Sequence, residues 1–127
     1  MDLDRFIAFY KGKIDNFTNI NNRLGCKVWG GAVSGRRGVC YGVMRVRFPG
    51  SVRSRVEYVH RLAYMLENRN FNLDRAWHIS HICHNRLCCN IDHLSYEPHF
   101  INNNRQACRM TIPKRCLGHQ QYRNCLF

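Results

Sequence analysis

An α+β fold built on a small antiparallel sheet is what this sequence predicts, and three observations predict it. Residues 26–48 carry β-rich runs broken by Gly-rich turns. Apolar residues recur at helical intervals near the start and again beyond residue 54. Most of the eight Cys and seven His fall in the second half of the chain, where metal stapling can stand in for core. A chain of 127 residues has room for about one domain and one modest core. We therefore read residues 1–127 as one unit: a helix and polar loop (1–25), a basic sheet and helix (26–76), a ligand-bearing motif (77–107) and a closing ligand-rich segment (108–127).

Leu3, Phe6, Ile7 and Tyr10 fall at i, i+3, i+4 and i+7, with Asp2 and Asp4 in front and Lys11 and Gly12 behind, which predicts a short amphipathic helix. Asp15 to Arg23 has no period and reads as a polar loop. CKVWGGAV and VCYGVMRVRF, separated by SGRRG, read as antiparallel strands. In the second run Met44, Val46 and Phe48 alternate with Arg45 and Arg47, so one face is apolar and the other cationic. That cationic face suits a DNA groove and equally suits a solvated sheet surface. Ser54-Arg55-Val56-Glu57 has capping-box spacing, and Val59, Leu62, Ala63 and Leu66 follow, which predicts a helix from about Arg55 to Glu67. Arg53 to Tyr58 also fits the end of a strand.

Twenty Lys and Arg against eight Asp and Glu give a formal charge of +12, and six thiolates on two divalent ions would leave it strongly positive. Nucleic acid is the partner such a balance favours, with Arg36, Arg37, Arg45, Arg47 and Arg53 as candidate DNA contacts. A protein adaptor is a poor fit to that surface. No apolar run approaches a membrane span, and the start MDLDRFIAFYKGK lacks the basic-then-apolar order of an export signal. The expectation is an intracellular, nuclear protein whose thiols bind metal rather than pair as disulfides.

Cys83, Cys88 and His93 are spaced C-x4-C-x4-H, three ligands for one tetrahedral zinc. Cys26 is the leading candidate for the fourth and Cys40 the alternative, with Cys89 a buried thiol. Cys108, Cys116, His119 and Cys125 form a complete Cys3His set by themselves. Closed sites of this composition are structural, so neither zinc is expected to be catalytic.

The run Ser80-His81-Ile82-Cys83-His84-Asn85, followed by Cys88, Asn90, His93, Asn102 and Cys108, resembles the His-Cys box homing endonucleases. These are ββα-metal (His-Me finger) nucleases, related to the HNH enzymes. The resemblance is specific from Trp77 to Cys125 and looser over Cys26 to Leu66. It implies a ββα-metal motif and magnesium-dependent hydrolysis of double-stranded DNA, with His81 as general base and Asn102 as magnesium ligand. It also implies Cys26, Cys83, Cys88 and His93 as the first zinc site and Cys108, Cys116, His119 and Cys125 as the second. A phosphate-binding arginine belongs on the strand before the helix, where Arg55 fits best and Arg53 competes. The chain stops two residues after Cys125, so the tail-swapped homodimer that such enzymes can form is not expected, and a homodimer without that tail stays open. The rival reading is a double-zinc DNA-binding module without hydrolytic activity.

Overall fold

The computed structural model describes residues 2–36 and 40–127. Helix α1 (Leu3–Asn16) starts at Asp2, whose carboxylate accepts the Arg5 amide at 2.9 Å. It runs past the predicted end and through Gly12, because Ile14 adds a fourth buried side chain to Phe6, Ile7 and Tyr10. Burying an Ile outweighs the roughly 1 kcal/mol cost of a helical Gly.

The stretch expected to be a polar loop contains strand β1 (Thr18–Asn21), paired antiparallel with β2 (Cys26–Trp29). Its side chains are almost all exposed, so the hairpin is held through backbone bonds and leaves no apolar alternation to read. Strands β3 (Val33–Ser34), β4 (Tyr41–Val46) and β5 (Arg55–Tyr58) form a second antiparallel sheet. Arg45 and Arg47 are exposed on either side of buried Val46, as the alternation predicts.

Helix α2 (Val59–Asn68) corrects the expected helix start. Arg55 to Tyr58 pair with Val46 to Val43 as a strand, and no side chain caps Tyr58. The capping box is absent: Glu57 lies in β5, accepts the Tyr58 amide at 3.1 Å and faces Arg55 at 3.8 Å and Arg61 at 3.7 Å. Four residues of sheet pairing outweigh a local capping preference.

Strands β6 (Trp77–His81) and β7 (Leu94–Pro98) pair antiparallel, and α3 (His99–Arg109) packs back on both, giving a ββα unit. Between the two strands a long loop ends in a 3-10 turn at Ile91–His93. Residues of α1, α2, β2, β4, β6 and β7 share one core, with Phe6, Val46, Leu62, Met65 and Leu66 almost wholly buried.

Trp29 closes this core beside β4, its Nε1–H donating to the Ala32 carbonyl at 2.8 Å. A Cβ at Gly42 would stand 2.5 Å from the Trp29 ring. Gly42→Ala should therefore lower stability by about 1–3 kcal/mol through overpacking, read as a lower denaturation midpoint. An unchanged midpoint would mean that Trp29 has room to move.

Candidate functional site

Two clusters of metal-binding side chains flank the ββα unit. In the first, the ligand atoms of Cys26, Cys83, Cys88 and His93 lie within 4.8 Å of one another, and all four residues are buried. His93 Nδ1 is 3.6 Å from Cys26 Sγ and 3.4 Å from Cys88 Sγ. Zinc bonds of about 2.0–2.3 Å place tetrahedral ligand atoms about 3.3–3.8 Å apart, so the spacing suits zinc. Crowding shows in the protons: the Cys83–Cys88 hydrogen bond pushes the Cys83 thiol up and brings Cys88 down to about 5. A divalent cation resolves that conflict by taking all the sulfurs as thiolates.

Why Cys26 joins and Cys40 does not follows from β2. Trp29 N–H donates to the Leu87 carbonyl at 2.8 Å, Cys89 N–H donates to the Lys27 carbonyl at 2.7 Å, and Val28 bridges to Cys88. Asn90 Nδ2 adds a bond to the Gly25 carbonyl at 2.9 Å. The long loop is thus tied along β2, and Cys26 meets Cys88. The Cys40 thiol instead donates to the Arg36 carbonyl. Cys89 is buried in the apolar core, where burial pushes its thiol up to about 12.

The second cluster joins Cys108, at the end of α3, to Cys116, His119 and Cys125, again within 4.8 Å. His119 Nε2 lies 3.3 Å from both Cys108 Sγ and Cys125 Sγ. Backbone amides of Leu117 and Cys125 donate to the Cys108 and Cys116 sulfurs at 3.3 and 3.1 Å, and against the upward push of burial such bonds hold the Cys116 thiol below its usual value. Burial pushes the Cys125 thiol up to about 12, and Arg105 opposes this, donating to Cys125 Sγ at 3.4 Å and to the Arg123 carbonyl at 2.8 Å. Its remaining donors grip Glu97 at 2.7 and 2.8 Å, and both side chains are almost fully buried. Burial alone would push the Glu97 carboxyl up, but hydrogen bonds led by Arg105 hold it below its usual range.

Between the clusters a cleft of about 450 Å³ brings His81 and Asn102 together. His81 closes β6, and its Nε2 lies 3.0 Å from the Cys88 carbonyl oxygen. Since that oxygen only accepts, Nε2 carries the hydrogen and Nδ1 keeps a free lone pair. Burial lowers the His81 pKa to about 4, so the ring is neutral at pH 7. His60 packs beside it with ring centroids 4.4 Å apart.

Arg61, Arg75, Arg86 and Arg109 line the same cleft. None was singled out from the sequence. Arg86 alone offered a signal, since it stands between Cys83 and Cys88 in a loop that must pass His81; the others are gathered by tertiary packing. The expected Arg55 lies outside the cleft: it is exposed on β5, with its guanidinium 4.3 Å over the Phe48 ring. Arg53 is exposed outside it as well, as is Arg36, while Arg37 falls outside the described residues. Arg45 bonds Ser54 at 3.1 Å and Arg47 bonds the Ser51 carbonyl at 3.2 Å, both from exposed positions. Among the described residues no helix is long and apolar enough to cross a membrane.

The family model described as the zinc-binding loop region of homing endonuclease matches residues 29–126. No curated protein and no solved structure matches the chain. The family match begins three residues after Cys26, so the fourth ligand of the first cluster is placed by the fold. Because the matched residues make up most of the chain and carry the ββα unit together with the second cluster entire, this protein belongs to the family of homing-endonuclease zinc-binding loop regions.

Proposed function

We propose that the protein is a magnesium-dependent DNA endonuclease acting as one nuclease domain, with two zinc ions that are structural. The observation that supports this reading most is the His81 ring: its hydrogen-bonded Nε2 leaves Nδ1 as a base in a cleft that also holds Asn102 and several arginines. A DNA-binding module held together by zinc needs neither the fixed tautomer nor the amide.

Hydrolysis of a phosphodiester needs a proton acceptor for water, and His81 Nδ1 supplies it. Phosphate charge beside the ring raises the basicity that burial has lowered. Arg61, Arg86 and Arg109, which line the cleft, offset negative charge on the phosphate, the part that the resemblance implies for Arg55. Asn102 offers a neutral oxygen suited to a hard cation. Among the described residues Glu57 is the one acidic side chain lining the cleft, and it is engaged by Arg55 and Arg61. The substrate must therefore supply most of the ligand charge, so magnesium binding and DNA binding are coupled. When bound, magnesium would supply Lewis-acid stabilisation of negative charge on the phosphate oxygens and on the departing oxygen.

A plasmid-cleavage assay with the zinc-loaded protein tests this reading. Nicked or linear product in magnesium, lost when magnesium is chelated briefly enough to spare zinc, is expected. Folded, DNA-bound protein that leaves every plasmid intact would be a binding module instead. Either way, DNA affinity should fall steeply with salt: six phosphate contacts would cost about 10³-fold between 50 and 200 mM. A flat salt response would remove DNA as the partner.

A further inference from the structure

Two histidines in and beside the cleft, which the hydrolytic roles above leave unused, form a chain of polar side chains with Asn102. His78 stands on β6, three residues before His81, opposite Glu97 of β7. His99 and Asn102 lie three residues apart on α3, hence on one helix face. Strand register and helical period together bring the three into line. His99 Nδ1 is 2.6 Å from His78 Nε2, and on the other side of the ring His78 Nδ1 is 3.4 Å from Asn102 Nδ2.

The chemistry of these atoms gives the chain a direction. An amide nitrogen donates and does not accept, so His78 Nδ1 is the acceptor of the pair. A neutral imidazole with a bare Nδ1 carries its hydrogen on Nε2, and that hydrogen points to His99 Nδ1. His99 then keeps its own hydrogen on Nε2, on a side chain that is exposed. The contact to Asn102 is long for a hydrogen bond, yet it distinguishes the two ends of the amide. With the nitrogen turned toward His78, the oxygen is turned away from it.

An asparagine that rotates freely offers a cation its oxygen in one orientation and its hydrogens in the other. Taking Asn102 as the metal ligand, as proposed above, we infer that His78 is a positioning residue: it fixes the Asn102 carboxamide with its oxygen free for a divalent cation, and His99 fixes the tautomer of His78. The role needs no contact between either histidine and the metal or the DNA.

Imidazole nitrogen NMR shifts of the zinc-loaded protein read the tautomer without magnesium or DNA. Hydrogen on Nε2 of His78 is expected; hydrogen on Nδ1 would reverse the amide and overturn the inference. The second readout is the magnesium concentration for half-maximal plasmid cleavage. His78→Phe keeps a ring and removes the acceptor, and should raise that concentration about 10-fold or more, with cutting recovered at saturating metal. His78→Asn, whose side-chain oxygen stands near the place of Nδ1, should restore most of the loss. His99→Ala, at an exposed position, should raise the requirement by less and serves if His78→Phe does not fold.

In Asn102→Asp there is no amide to orient, so adding His78→Phe should change the magnesium requirement little. A rise as large as in the wild-type background would mean that His78 acts by another route, and the inference would fail. Asn102→Ala separates the two readings. If it cuts with an unchanged magnesium requirement, Asn102 is not the ligand. If it loses cutting while folded His78→Phe and His99→Ala keep the wild-type requirement, only the positioning role is refuted.

Discussion

His81→Ala should lower plasmid cleavage by about 10²–10⁴-fold, the usual contribution of a positioned general base, while leaving zinc content, melting temperature and DNA affinity near wild type. The separation of effects follows from how the ring is held. Among the described residues the ring is held by the Cys88 carbonyl, at the rim of a loop already fixed by β2 and by the first cluster. On the mechanism proposed above, deleting the ring removes a proton acceptor without removing a ligand of either cluster. Rates of supercoiled-plasmid loss, measured at saturating DNA beside a binding titration, decide the matter. Wild-type cutting by the variant would remove His81 from the mechanism. A parallel collapse of cutting, zinc content and melting temperature would make it a structural residue.

Cys108→Ser should release one of two zinc ions per chain and destabilise the protein by an amount comparable with its whole folding free energy. Structural zinc contributes about 10–16 kcal/mol in small zinc modules, whereas a domain of this size is stable by about 5–15 kcal/mol. Cys108 is fully buried at the end of α3, and its sulfur touches His119 Nε2 and the Leu117 amide. The damage spreads through Arg105, which holds Cys125 and Glu97 at once and would lose one anchor of a buried charge pair. Metal analysis together with a thermal melt reads both effects. Two zinc ions per chain at the wild-type midpoint would show that Cys108 is no ligand.

Both metal clusters were legible in the sequence because their spacings are local and few other reasons exist for so many Cys and His. The first turns of α1 and the two faces of β4 were legible because burial there follows a clean period. The choice of Cys26 over Cys40 was not derivable from spacing, since it depends on backbone bonds between β2 and a loop nearly sixty residues away. Strand β1 was hidden because an exposed hairpin carries no apolar pattern. The start of α2 was misread because Ser54 to Glu57 satisfies a helix signal locally while the pairing of β4 with β5 uses the same residues. The cleft arginines come from α2, α3 and two loops, and no short window of sequence contains them.

The tie between Cys26 and the loop around Cys88 has a consequence for synthesis. At roughly 5–20 residues per second, Cys26 leaves the ribosome several seconds before Cys83 and Cys88. Until then the N-terminal hairpin carries a lone thiol with no ion to hold. The first cluster closes only after His93 has emerged, and the Cys88 carbonyl that orients His81 is placed by the same closure. On the reading proposed above, the nascent chain is therefore a basic polypeptide that meets nucleic acid well before His81 is oriented to cut.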